Sequence, residues 1–432
     1  MIDARQPRVW ILTLIVQVFL VAAFVHSDGM FHHVGMDFLT TFTAADMISE
    51  GEADSLYDTR AQWEQQLPII ERYGVDWPDR VMQPYIAPPI LALIAIPLVP
   101  LGAVAATAVW SIVNAVAVAA VIWLLARRLG VDWRLSAAVI VGSLPLFAVL
   151  MLGQVEGLLL LAFTLFVIEL RAGRAVRAGL ALACFAIKPP LLVAPLLFLA
   201  VTGRHRALGW TVAGGSVLAL ISAAVVGING VREYFALSRR MAGPDGAIVT
   251  NVWGMVNIRS AVVRMAPVDD GLVVNLLIVL LTALVLTTAC LLWRRSIVDG
   301  HSLSFGSFGL LAMTTVLTSY HALYHTAVLA LLGVVLLLTE IERRGDTDLS
   351  GWVFGVSWML FTAAPLAAFA IVASSKVPAA LSTLGVAAGW ALACLALSQM
   401  PSGVELPSSH PSLEARRVRV PSRSTSGREN NR

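Results

Sequence analysis

Long apolar runs, separated by loops whose basic residues are nearly all arginine, constrain this chain more than any other feature. Only 13% of the 432 residues are charged and 58% are hydrophobic, whereas soluble domains carry about 25% charged residues. A helix needs about 20 apolar residues to cross a bilayer. About twelve stretches approach that length, near 9–25, 102–126, 135–151, 155–170, 174–187, 189–202, 207–227, 272–293, 303–319, 321–340, 351–373 and 377–400. The expectation is an all-α polytopic membrane protein with one membrane domain over 1–400. A Ser-, Pro- and Arg-rich tail over 401–432 is expected to be disordered and cytoplasmic, touching anionic membrane lipids. The run 9–25 follows Arg5 and Arg8 and no small-x-small site comes after it, so it reads as an anchor and not a cleaved signal.

Arginine placement gives the orientation. With both termini inside, the cytoplasmic loops hold Arg127, Arg128, Arg171, Arg174, Arg204, Arg294, Arg343 and Arg344, while the short outer loops near Gly153, Tyr320 and Ser375 hold none. Two long outer loops result, about 26–86 and 228–271. Helix-like patches at Phe38–Glu50 and Arg60–Tyr73 lie in the first. The apolar run 87–100 is broken by Pro88, Pro89, Pro97 and Pro100, and as a full span it would place Arg127 and Arg128 outside. It is read as re-entrant, lining a site. Only Lys188 and Lys376 are lysines, and the basic excess does not indicate nucleic acid. The cysteines Cys184, Cys290 and Cys394 all fall in apolar runs, which argues against a disulfide framework or a metal cluster. No metal or cofactor is expected.

Polar residues at the outer ends of these runs are the candidates for chemistry. Asp37 stands where the first helix leaves the bilayer, suited either to taking a proton from a hydroxyl at the membrane surface or to capping the helix from Phe38 onward. Gly153–Gly157 reads Gly-Gln-Val-Glu-Gly, a tight turn that aims Gln154 and Glu156 at an outer cavity. Lys188, inside Phe185–Leu192 and followed by two prolines, falls at a helix break where its point charge can meet a phosphate. His321 and His325 are four residues apart and are expected to share a helix face, with hydrogen bonding to a phosphate or an acceptor favoured over metal binding because no third ligand is evident. Arg259 and Arg264 return to the membrane from the second loop and suit a lipid phosphate. Tyr85 is an interfacial aromatic expected to line the cavity.

Taken in order, these pieces resemble glycosyltransferase family 87. They are Asp37–Ala45, Gly51–Asp58, Tyr85 with Pro88 and Pro89, Trp110 with Asn114, Gly153–Gln154, Ile187–Pro189 and Ser319–His325. The resemblance implies a GT-C type fold with a long first external loop. It implies a polyprenyl-phosphate mannose donor and an α-1,2-mannosyl product, made on the external face of the plasma membrane. It maps the catalytic acid onto Asp37 and the functional histidine onto His321, with His325 next to it. Lys188, Arg259, Arg264 and His325 are then the donor phosphate ligands, and Gln154, Glu156 and Tyr85 line the cavity. At the turn the family often has Asn where this chain has Glu156. Implied partners are the lipid-linked sugar, a glycolipid or lipoglycan acceptor and membrane lipids. Two other classes compete with this reading: a secondary transporter, for which the first loop has no repeat partner, and a lipid-diphosphate glycan polymerase or ligase, which commonly carries its large loop late in the chain.

Cysteines introduced at Ser55 and Gly243 should react with a membrane-impermeant maleimide in intact cells, whereas one at Ser412 should not. Labelling at 412 would reverse the orientation.

Overall fold

The computed structural model describes Ile11, Ile15 and Val18 and then residues 35–73, 83–242, 251–265, 271–298, 303–365 and 376–399. The anchor expected over 9–25, apart from those three residues, and the tail over 401–432 lie outside the described residues. Described elements are helical throughout. They are α1 (Met36–Ser49), α2 (Thr59–Tyr73), α3 (Pro89–Ala95), α4 (Ala103–Leu129), α5 (Trp133–Val141), α6 (Leu144–Leu152), α7 (Glu156–Arg171) and α8 (Ala175–Ala183). After them come α9 (Val193–Val201), α10 (His205–Ala242), α11 (Ile258–Met265), α12 (Leu272–Val298), α13 (Phe305–Thr318), α14 (Ala327–Arg343), α15 (Thr347–Trp358) and α16 (Lys376–Ser398).

Among the described residues five helices are long and apolar enough to cross a membrane, or six if the bent pair α5–α6 is one span. About twelve spans were expected, and the shortfall has local causes. The run 135–151 is not one helix: α5 and α6 meet at an angle of 64°. Pro145 cannot donate to the ladder, and Ser143 caps the new helix by accepting the Leu146 N–H at 3.3 Å. The runs 174–187 and 189–202 form two short apolar helices, Ala175–Ile187 and Pro189–Val201, that break at Lys188. A residue before proline is driven from helical backbone, and Lys188 accordingly sits at φ −129°, ψ 76°. The run 87–100 folds as α3 followed by a 3-10 turn, a short helix in the span Pro89–Leu101. That length falls well short of a full crossing. Beyond the expected end at 227, α10 continues to Ala242 through a non-helical Gly227, so the second loop opens with helix. The span expected over 351–373 is α15 followed by a π turn, Met359–Ala363, and residues 366–373 lie outside the described set.

The helix expected over 321–340 begins only at Ala327, which corrects the shared helix face proposed for His321 and His325. Residues 319–323 give their backbone groups to another segment. The Asn257 side-chain amide donates to the Ser319 and Tyr320 carbonyls at 2.9 and 3.2 Å, and the Val256 N–H donates to the Ala322 carbonyl at 2.7 Å. An isolated bridge between Met255 and Leu323 completes the pairing. Those groups cannot also build a helical ladder.

At the centre lies α14, apolar on all sides and almost wholly buried, as a helix without a polar face must be. It crosses α13 where two glycines meet: a Cβ on Gly333 would stand 2.8 Å from the Gly309 carbonyl oxygen, and one on Gly309 would stand 2.9 Å from that of Gly333. Such small-residue crossings let helix backbones touch where no hydrophobic drive separates helix from lipid. Outer helices α10 and α12 leave most of their apolar surface exposed, as lipid-facing helices do. In the first loop α1 and α2 fall within one residue or two of the helical patches read from the sequence.

Gly333→Ala and Gly309→Ala should each destabilise the protein by about 1–3 kcal/mol through overpacking. Gly209→Ala, in α10 with nothing within 4 Å of the added carbon, should be neutral or stabilising by up to about 1 kcal/mol. Thermal unfolding in detergent compares the three, and equal shifts would refute the close crossing.

Candidate active site

Four stretches of chain distant in sequence meet at the start of α7. The turn between α6 and α7 depends on Gly153, which adopts φ 69° and whose missing Cβ would lie 2.5 Å from the Phe38 Cβ. Only glycine fits a left-handed turn pressed against a neighbouring helix. Phe38 in turn stacks on Trp110, ring centroids 5.2 Å apart, and the Trp110 indole N–H donates to the Gln154 carbonyl at 3.2 Å. These contacts press α1 and α4 onto the turn and fix where Gln154 points.

Asp37 lies in the first turn of α1 but does not cap it. Gly35 occupies the cap position and no side chain caps the helix. The Asp37 carboxylate instead accepts from the Gln154 side-chain N–H₂ through Oδ2. The other end of that amide, Oε1, accepts from the Lys188 ammonium at 3.1 Å. Lys188 Nζ also donates to Glu156 Oε1 at 2.6 Å. The same Glu156 oxygen accepts from the Thr326 hydroxyl at 2.9 Å and lies 2.9 Å from His325 Nδ1. Asp37, Gln154, Lys188, Glu156, His325 and Thr326 therefore form one connected chain. Its polarity is set by chemistry: the amide must turn its nitrogen to the carboxylate and its oxygen to the ammonium, and His325 Nδ1 must carry the proton because Glu156 Oε1 can only accept.

Burial divides the network. Glu156 and His325 are 0% and 1% exposed, whereas the Lys188 side chain remains 22% exposed. Lys188 is the cation that faces the accessible side. Two of its three N–H bonds are used within the network. Burial pushes the Asp37 carboxyl above the ordinary aspartate range, against the opposing influence of His325, the Gln154 amide and Lys188. His321, half-buried in the loop before α14, feels the charges of Lys188 and Arg259. Desolvation and those charges pull its imidazole down to about 3, so it is neutral at physiological pH. Arg259 is buried and stacks over the Tyr320 ring at 4.3 Å.

Two candidates stand elsewhere. Tyr85 is 2% exposed, and its hydroxyl donates to the Pro88 carbonyl at 2.7 Å while accepting the Ala92 N–H at 3.2 Å. It locks the Pro88–Pro89 corner with Tyr57, whose hydroxyl donates to the Ala87 carbonyl at 2.9 Å. Arg264 donates to the Trp253 carbonyl at 2.9 Å, to the Met255 carbonyl, and to the Thr383 hydroxyl at 3.1 Å. Its guanidinium is committed to holding 253–255 against α16. Thr326 has no place in the sequence reading. Its one signal is its position beside His325 in a polar interruption, Thr318–Thr326, of a long apolar stretch. Among the described residues no group of three His, Cys, Asp or Glu side chains is arranged to hold a metal ion.

A helical fold with apolar helices long enough to cross a bilayer, and a buried network of paired charges where several helices begin, defines a membrane-embedded protein built around a polar site. A family model for glycosyltransferase family 87 matches residues 85–320, more than half of the chain, and the chain belongs to that family. It is therefore a membrane glycosyltransferase. Gln154, Glu156, Lys188, Arg259 and Arg264 lie within the matched stretch, while Asp37, His321 and His325 lie beyond its ends. Comparison with curated proteins and with solved structures gives no match.

Arg264→Ala should act on stability, costing about 1.5–3 kcal/mol for charged hydrogen bonds left unmade. Arg264→Lys should recover little of it, because one ammonium cannot span three acceptors set around a planar fork. Thermal unfolding measures this, and a variant of unchanged stability with weakened donor use would instead make Arg264 a substrate ligand.

Proposed function

We propose that the protein transfers a hexose, mannose, from a polyprenyl-phosphate donor to a hydroxyl of a glycolipid or lipoglycan acceptor on the external face of the plasma membrane. Asp37 is the general base and Lys188 meets the donor phosphate. The observation that carries this reading is the single Gln154 amide joining the Asp37 carboxylate to the Lys188 ammonium. A proton acceptor and a cation suited to phosphate are thereby held one side chain apart.

In the reaction the acceptor oxygen attacks C1 of the sugar and its proton passes to Asp37. The bond from C1 to the phosphate oxygen breaks, and its electron pair leaves with the polyprenyl phosphate. A phosphodiester of one negative charge becomes a monoester of two, so a cation at the phosphate favours the products of bond cleavage over the starting state. Lys188 supplies that cation. Attack opposite the leaving group converts a β-linked donor into an α-linked product. Neutral His321 suits hydrogen bonding to a sugar or acceptor hydroxyl, and Arg259 adds positive potential from the Tyr320 side. The raised ionisation of Asp37 supports its role, since a base with higher proton affinity removes a hydroxyl proton more readily.

Asp37→Asn keeps the size of the side chain but removes the base, and transfer should fall by about 10²- to 10⁴-fold, with donor binding retained. The wild-type rate should decline as pH falls, through a limb lying above the ordinary aspartate value of about 3.9, because the base must be deprotonated to act. Purified protein, a synthetic polyprenyl-phosphate mannose and a panel of mannosides provide the assay. A near wild-type rate for Asp37→Asn, with loss in Asp46→Asn, would move the base elsewhere.

A further inference from the structure

Glu156 is the one charged residue of the network for which the transfer reaction has no direct use. It is 0% exposed, begins α7, and takes three donors on a single oxygen, from Lys188, His325 and Thr326. Its second oxygen has no hydrogen-bond partner among the described residues. A carboxylate used only for packing would spread its donors over both oxygens, since each has two lone pairs to satisfy. Here everything converges on the oxygen that faces Lys188. His325 and Thr326 come from a turn pinned at the head of α14, so the carboxylate cannot swing away from the lysine. Gln154 Oε1 also accepts from Lys188, at 3.1 Å.

Two consequences follow for whatever binds Lys188. The ammonium is oriented, with two of its N–H bonds fixed by Gln154 and Glu156 and the side chain 22% exposed. It is also counter-charged, so an approaching anion meets an ion pair and not a bare cation. Attraction and repulsion at this range are strong because the surroundings are poor in water. Resting on the glycosyltransferase reading above, we propose that Glu156 is a positioning residue that counter-charges Lys188, aiming its remaining N–H at the donor phosphate while limiting how tightly the more highly charged leaving group is held. The donor arrives as a phosphodiester of one charge and departs as a monoester of two. A bare lysine would bind the departing group better than the arriving one and would retain it. An ammonium already paired with a carboxylate narrows that difference, so that turnover continues.

The test uses full-length protein in nanodiscs, with farnesyl phosphate and its methyl diester as probes at pH 8, where the monoester carries two charges and the diester one. Wild type should prefer the monoester over the diester by less than tenfold, despite its larger charge. Glu156→Gln leaves an acceptor oxygen for the same three donors and removes only the charge. It should bind the monoester about tenfold more tightly or better. In the transfer assay it should keep a donor KM at or below wild type while kcat falls, with a burst of product in the first turnover. A merely structural role for Glu156 would loosen binding, so unchanged or weaker monoester binding in Glu156→Gln overturns the proposal. If that variant does not fold, the wild-type comparison decides: tenfold preference for the monoester over the diester overturns the proposal as well. Wild type that binds neither probe overturns the functional reading and this inference together, whereas binding of both probes with no effect of the substitution overturns the inference alone.

Discussion

One carboxylate oxygen, Glu156 Oε1, joins three parts of the chain that sequence keeps more than 30 residues apart. It fastens the start of α7 to the break at Lys188 and to the turn that opens α14. Glu156 is fully buried, so solvent does not replace this contact. An unpaired carboxylate there would cost several kcal/mol, as would the lysine it faces, so each makes the other tolerable. Truncating one member of a buried pair typically costs about 3–5 kcal/mol. The broken helix at Lys188, with its two prolines and two short 3-10 turns, is stable because its charge is met on arrival. The turn at Gly153 is tight because Gln154 must reach Asp37 and Lys188 together.

The opposite ends of α7 and α14 are organised by arginine. Arg171 and Arg343 lie over the Phe305 ring, each guanidinium 4.3 Å from its centre. Arg171 donates to the Leu303 carbonyl at 2.5 Å and Arg343 to that of Leu129 at 2.9 Å. Both helices therefore run in the same direction, from the acidic network at one end to the arginine pair at the other. Sixteen residues in α7 separate the two ends by about 24 Å at 1.5 Å per residue, shorter than the roughly 30 Å of a bilayer's hydrocarbon core. The paired ends give the charge asymmetry of the loops a physical counterpart within the bundle.

The polar members of the network were legible because each is costly where it stands. Lys188 in an apolar run, Glu156 after a glycine turn and His325 in a long hydrophobic stretch all contradict their surroundings, and each contradiction is resolved by another member. The breaks were partly legible too: Pro189 announces the interruption at Lys188. Pairing between segments was not. His321 and His325 have helical spacing, but Asn257, more than 60 residues away, takes the carbonyls that a helix would need. Arg264 looks like a ligand for phosphate until the carbonyls of Trp253 and Met255 are brought beneath it. Tyr85 looks interfacial until Gln62 binds both its backbone groups, at 2.7 and 3.3 Å. In each case tertiary structure supplies a partner that the local pattern of residue types does not show. Thr326 carries no pattern of its own, and its role exists only because Glu156 is there.

Helices α1, α7 and α14 all begin at this network, and none has a side-chain cap. Each peptide dipole leaves a partial positive charge at a helix start, equivalent to roughly half an elementary charge and contributing about 0.3–1 kcal/mol to a neighbouring anion, or up to about 2 when partly buried. Asp37 stands in the first turn of one helix and Glu156 in the first turn of another. Three helix starts thus lie at two carboxylates, the half-buried Asp37 and the fully buried Glu156. The backbone itself supplies part of the compensation that those acids require, a contribution that no titration or side-chain substitution can remove. Lys188 then adds a side-chain cation, two of whose three N–H bonds are committed to the network.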